Sequence, residues 1–121
     1  MGQTVWLESE NQIDAVTAVS GSGPAYVFYF LEAMQQAAVE LGLNAEQGRS
    51  LAQATFLGAA ALASASDESL ATLRERVTSK GGTTYAALTS MNDDAVQAAI
   101  IKALKAAAQR GAELGKEFGQ S

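Results

Sequence analysis

Pro24-Ala25-Tyr26-Val27-Phe28-Tyr29-Phe30-Leu31 contains no charged residue. It opens a longer run to about Leu41 in which the only polar stripe is Glu32, Gln35, Gln36 and Glu40. Polar positions three to four apart are the mark of a helix. A helix that is apolar nearly all round is a buried one. A chain of 121 residues makes one domain with one modest core. Such a chain can rarely surround a helix of this kind by itself, so the expected remedy is a second copy of the protein.

Working outward from this run, Ser20-Gly21-Ser22-Gly23-Pro24 reads as a break and a restart. A first helix over roughly Glu10–Val19 places Ile13, Val16 and Val19 three apart, and Gly21 is expected to end it in the left-handed conformation. Ser22 or Gly23 then caps the next helix, and Pro24 fits its first turn, where a missing N–H costs nothing. Residues 1–9, with Thr4-Val5-Trp6-Leu7, read as a loop or the tail of a strand.

On the other side, Gly42 closes the apolar helix and Asn44 caps a third that runs to about Ala63. This third helix has one stripe of Leu51, Thr55, Gly58 and Leu62. A second, smaller one of Ala52, Phe56, Ala59 and Ala63 allows close helix approach. Ser64–Asp67 forms a turn, followed by short helices over about Glu68–Val77 and Thr83–Met91. Asn92-Asp93-Asp94 is expected to cap a last helix from Ala95 to about Phe118. Its stripe is Val96, Ile100, Ala103, Ala107, Leu114 and Phe118, widened by Ile101, Leu104 and Ala108. No segment alternates as a strand, so the fold is expected to be an all-α bundle of about six helices.

Composition removes several kinds of chemistry. There is no Cys and no His, which excludes thiolate nucleophiles, disulfides, the usual zinc sites and histidine acid–base catalysis. No pair of carboxylates has a spacing that demands a metal, so none is expected. The net charge is −5 with no run of Lys or Arg, which argues against nucleic acid as a partner. The first residues lack a basic segment followed by an apolar one, and no stretch is long enough to span a membrane. The expectation is a cytoplasmic protein without a membrane or nucleic-acid role.

The segment with most chemical promise is Val77-Thr78-Ser79-Lys80-Gly81-Gly82-Thr83-Thr84. Its glycines let a ligand approach the main chain, and the free N–H groups of the following helix favour an anion. Ser79, Thr83 and Thr84 add hydroxyls. The plainer account is a connection between helices with Thr83 or Thr84 as N-cap. Lys80 either pairs with an anion at the loop or extends into solvent. Glu32 can be read as a catalytic carboxylate, but Gln35, Gln36 and Glu40 make it part of an ordinary polar stripe. Tyr26, Tyr29 and Phe30 can stack on a ring, although aromatics in an apolar run usually belong to a core. Asp67 and Glu68 suit the positive end of a helix dipole better than an acid–base role.

Three blocks together resemble the C-terminal domain of the pyrroline-5-carboxylate reductase family. The first is Asp14-Ala15-Val16-Thr17-Ala18-Val19-Ser20-Gly21-Ser22-Gly23-Pro24-Ala25-Tyr26. The second is the helix opening after Gly42-Leu43, with Ala54-Thr55 and Gly58-Ala59-Ala60. The third runs from Leu70 and Leu73 through Val77–Thr84 to Ala87-Leu88 and Met91-Asn92, and it satisfies the family's signature pattern along its length. Two positions depart from the family. Proline is usual where this chain has Lys80, and a further proline is usual near Glu68–Leu70.

The resemblance implies a helical domain that forms an intertwined homodimer, or a higher oligomer, and holds a small-molecule substrate. The family reduces 1-pyrroline-5-carboxylate to L-proline with NADPH or NADH. Family members are roughly twice this length and begin with a Rossmann domain carrying a glycine-rich turn, which this chain lacks. The whole chain therefore reads as the dimerisation and substrate-binding domain, with residues 1–9 as an inter-domain junction. By resemblance, Ser79, Gly81, Gly82, Thr83 and Thr84 bind the substrate carboxylate, and Thr84 donates to the ring nitrogen as the catalytic residue. Gly21, Ser22, Gly23 and Pro24 lie near the nicotinamide end of the cofactor. Asp67 aligns approximately with an acidic position near the family's site. No cofactor is expected on these residues alone, and no reductase activity. The alternatives are a free-standing helical interaction module and the tail of another NAD(P)-dependent dehydrogenase.

Overall fold

The helices of the computed structural model, which describes residues 10–117, begin and end largely at the punctuation read in the sequence. Six α-helices are described: α1 (Glu10–Val16), α2 (Gly23–Glu40), α3 (Ala45–Ser64), α4 (Leu70–Arg76), α5 (Thr83–Asp93) and α6 (Val96–Glu117). A single π-helical turn, Thr17–Gly21, follows α1. The described residues contain no strand, so the all-α expectation holds. The junction expected over residues 1–9, and Phe118, lie outside the described residues.

The chain divides into two units, one of Met1–Tyr26 with Ala95–Ser121 and one of Val27–Asp94. In the first, α1 and the π turn pack on α6. Ala18 is the buried centre of this contact, with 3% of its surface exposed. The face of α6 with reduced exposure is Leu104, Ala107, Ala108, Gly111, Ala112 and Gly115. It departs from the expected stripe, because Ile100, Ile101 and Leu114 are exposed. The reason is steric. Gly111 lies against the Asp14 carboxylate of α1, close enough that a Cβ there would sit 3.3 Å from Oδ1, so the small residues face the neighbour.

In the second unit, α2 and α3 meet in the same manner. Gly48 faces Ala38 and the Gln35 carbonyl, where an added Cβ would stand 2.9 and 3.1 Å away. Ala52 is buried one turn further on, and Phe56 meets Phe30 edge to face with ring centroids 5.4 Å apart. Of the two stripes on α3, the small one is turned inward, while Leu51 and Leu62 are exposed. The connection is secured by Asn44, whose side chain accepts from the Gln47 N–H while the Gln47 side chain accepts from the Asn44 N–H. This is a complete capping box. The Gln35 amide donates to the Ala45 carbonyl at 2.9 Å and ties the two helices at their joined ends.

Three local expectations are corrected. Gly21 does not end a helix in the left-handed conformation. It is the last residue of the π turn, and the Ser22 N–H reaches back five residues to the Thr17 carbonyl at 2.9 Å. Asn92–Asp94 does not cap α6, because α5 continues through Asp93 and the Asp94 N–H donates to Ser90. Ala95 precedes α6 at φ +53°, the left-handed region that disfavours a Cβ. Finally, α4 begins at Leu70 rather than Glu68, with the Ser69 hydroxyl accepting from the Thr72 N–H.

Between α4 and α5 the chain makes a tight turn over Ser79-Lys80-Gly81-Gly82. The Gly82 N–H donates to the Ser79 carbonyl at 2.9 Å. Gly81, the third residue, has φ +78°, whereas Lys80, the second, does not have a positive φ. That combination is a type II turn, which favours glycine third and proline second. Lys80 therefore occupies the place where proline would pre-set the backbone, and its N–H makes no backbone hydrogen bond among the described residues.

This geometry sets the stability of three variants. Gly48→Ala gains about 1 kcal/mol in helix propensity but overpacks the seam by about 2 kcal/mol. Chemical denaturation should show a net loss of about 1 kcal/mol. Lys80→Pro should raise stability by about 0.4–1 kcal/mol through the unfolded state. Gly81→Ala should lower it by about 1–2 kcal/mol through the left-handed backbone.

Candidate functional site

The type II turn delivers the chain into α5 with a glycine, Gly82, at the N-cap. Its carbonyl accepts the first helical bond, from the Ala86 N–H at 3.0 Å, but it has no side chain to receive bonds from the first turn. The plainer expectation, that Thr83 or Thr84 caps the helix, is therefore corrected: both lie inside α5. The N–H groups of Thr83, Thr84 and Tyr85 have no helical acceptor and no capping partner among the described residues. Three aligned donors stand at the positive end of an 11-residue helix, where the dipole favours negative charge.

The hydroxyls around these donors are unused as well. Ser79, Thr83 and Thr84 make no side-chain hydrogen bond among the described residues. Ser79 and Thr83 are exposed, and Thr84 is half-buried. Thr78 differs, because its hydroxyl donates to the Arg74 carbonyl at 2.6 Å and holds the end of α4 in place. Any side chain at Gly82 would crowd the turn, since a Cβ there would lie 3.3 Å from the Ser79 carbonyl oxygen. Lys80 is exposed and makes no ion pair among the described residues. All five loop residues singled out in the sequence, Ser79, Gly81, Gly82, Thr83 and Thr84, thus fall on one turn and the first turn of one helix.

Gly21, Ser22, Gly23 and Pro24 belong to the first unit. They run from the end of the π turn into the start of α2, where the Ser22 carbonyl accepts from the Ala25 N–H at 3.1 Å. The space around Gly23 is open, with no atom within 4 Å of where a Cβ would be. Two hydroxyls that sequence reading did not place hold this segment. Ser20 donates to the Val16 carbonyl at 2.9 Å, and Tyr26 donates to the Ala18 carbonyl at 2.8 Å. A π-helical register was not legible in advance, but a tyrosine two residues after a Ser-Gly-rich break was a clue to the second bond.

The remaining candidates separate. Phe30 packs on Phe56, as core aromatics do. Tyr29 is 78% exposed. Asp67 makes no hydrogen bond or ion pair among the described residues, whereas Glu68 pairs with Arg76 at 3.2 Å across the length of α4. Glu32 lines a groove with Phe28, Leu31, Gln35, Arg49 and Gln53. No described helix is long and apolar enough to cross a membrane.

Known proteins share this fold. A family model described as pyrroline-5-carboxylate reductase dimerisation matches residues 10–114. Pyrroline-5-carboxylate reductase from Pseudomonas aeruginosa is 50% identical over 99% of the chain, which spans 44% of that protein's length. Among solved structures, a pyrroline-5-carboxylate reductase from Coxiella burnetii superposes with a TM-score of 0.88 at 45% identity, covering 93% of this chain and 42% of that one. The Plasmodium falciparum pyrroline carboxylate reductase, solved with NADP bound, gives 0.85 at 31% identity, covering 89% of this chain and 44% of that one. The chain thus spans less than half the length of these relatives. With the model match running from α1 almost to the end of α6, the chain belongs to the pyrroline-5-carboxylate reductase dimerisation family.

Proposed function

We propose that the chain is the dimerisation and substrate-binding domain of an enzyme that reduces 1-pyrroline-5-carboxylate to L-proline with NADPH or NADH. The observation that carries this reading is the set of free N–H groups at Thr83, Thr84 and Tyr85, ringed by unused hydroxyls. A carboxylate is the group this receptor suits, and a carboxylate is what the named relatives' substrate bears. The match over residues 10–114 favours this reading over a free-standing module or the tail of another dehydrogenase.

In this reading the turn Ser79–Gly82 brings the substrate carboxylate against the backbone, where Gly81 and Gly82 present no side chain to obstruct it. Ser79 and Thr83 add hydroxyl donors. The half-buried Thr84 hydroxyl reaches the ring nitrogen and donates to it as the ring carbon is reduced. Hydride is the chemistry the nicotinamide supplies when bound. The described residues include no strand–glycine turn–helix unit to hold a dinucleotide, and Gly21–Pro24 are the residues proposed to lie near the cofactor's reactive end.

The homodimer is supported by what each unit leaves uncovered. Among the described residues no large side chain is fully buried. Phe28 and Leu57 are 64% and 74% exposed. Covering one such side chain is worth about 1.5–3 kcal/mol, and a second copy can cover many of them.

Thr84→Ala in the longer reductase should lower kcat/KM by about 10²-fold, as loss of an aimed donor does. Thr84→Ser should recover most of it, and an unchanged Thr84→Ala rate would remove the residue from the chemistry. The 121-residue chain should elute with light-scattering mass twice the 12.5 kDa of one copy. With NADPH and 1-pyrroline-5-carboxylate it should give no turnover, and a measurable rate would show that it holds the dinucleotide itself.

A further inference from the structure

We propose that Glu32 and Arg49 are the recognition pair of the homodimer, the carboxylate of each copy meeting the guanidinium of the other. This rests on the homodimer reading above and adds which residues set its register.

Glu32 lies on α2 one turn beyond Phe28, and Arg49 lies on α3 one turn before Gln53. Both line the same groove, whose other walls are Leu31 and Gln35, and they are its only charged lining residues. Neither makes an ion pair among the described residues. This differs from Arg76 and Arg110, which are each paired with a glutamate of their own chain. The exposed ring of Phe28 is one wall of the groove, so an occupant that covers this ring also removes water from the carboxylate and the guanidinium.

A charge buried without a partner is strongly destabilising, and this selects the occupant. A purely apolar surface would leave both charges stranded. A surface with one acid and one base in matching places satisfies both. Under a twofold axis a patch meets itself, so residue 32 of one copy faces residue 49 of the other, and the reverse. A groove that carries one of each sign is complementary to its own copy. The guanidinium fork suits a carboxylate in two-point contact. The Gln35 and Gln53 amides, on the same walls, can take the remaining lone pairs and N–H groups.

Charge reversal tests this with a result that a pair within one chain could not give. Glu32→Arg and Arg49→Glu should each weaken the dimer at least tenfold in Kd, because like charges then face one another twice per dimer. An equimolar mixture of the two variants should recover a heterodimer near the wild-type Kd. In that heterodimer both cross-copy pairs are opposite in sign, while both same-chain pairs are alike. Circular dichroism on each variant checks that helix content is kept. The measurement is light scattering over a dilution series, with the Glu32→Arg/Arg49→Glu double variant expected to dimerise as well. Single variants that dimerise like wild type, or a mixture that stays monomeric, would overturn the pair while leaving the homodimer standing. A monomeric wild-type chain would instead overturn the homodimer, and this inference with it.

Discussion

The close approach of helix backbones is the constraint on which the rest of the structure depends. Among the described residues, the buried apolar side chains are Ala18 and Ala52, each 3% exposed. Gly48 and Gly111 stand where a methyl group would press on the neighbouring helix. Helices that meet through alanine and glycine come near enough for many dispersion contacts between backbones. Apart from the edge-to-face pair of Phe30 and Phe56 and the half-buried Leu104, they leave little room between them for large side chains. Most others point away, and Phe28, Leu51, Leu57, Leu62, Ile100 and Ile101 are exposed. Close packing within each unit thus produces the apolar outer faces that call for a second copy, and ties stability to assembly.

Most of the fold was legible in the sequence because its punctuation is chemically explicit. Asn44 and Gln47 spell a capping box, Pro24 opens α2, and Gly42 ends it with φ +110°. Side-chain direction was less legible. Periodicity identified two stripes on α3 but gave no ranking between a leucine stripe and an alanine stripe, and hydrophobicity alone would favour the leucines. Gly48, which lies in register with Ala52 and Phe56, was the signal for the inward face. The π turn was hidden for a different reason. Its register is held by the five-residue Ser22–Thr17 bond, and the Tyr26 hydroxyl takes up the Ala18 carbonyl nearby. That is a tertiary bond which local propensity does not encode.

The candidate site was legible in outline because it is made of main chain. Two adjacent glycines before a helix signal a turn and a set of free N–H groups whatever surrounds them. The assignment of the cap was not legible, since both threonines are good capping residues and nothing local favours Gly82 over them. The type II turn decides the matter by placing Gly82 outside the helix and the threonines inside, where their hydroxyls have no local acceptor to satisfy. The same turn accounts for Lys80 in place of the usual proline: the second position prefers proline's fixed φ but does not require it.

In the proposed function, a receptor of this kind also accounts for anion binding by a chain with net charge −5 and no histidine. Backbone N–H groups carry no formal charge, so they need no counter-ion when the site is empty and little desolvation when it fills. Their direction is fixed by α5 rather than by rotamers, which lowers the ordering cost of binding. A lysine or arginine in their place would bring a strongly hydrated charge on a flexible stem. It would also attract any acid alike. Fixed donors around a glycine turn instead discriminate by shape, admitting a planar carboxylate that can approach the main chain. In the proposed function, Thr84, half-buried at the first turn of the same helix, sets a second distance from the carboxylate. Geometry measured from one helix end can therefore specify both the acid and the atom to be protonated beside it.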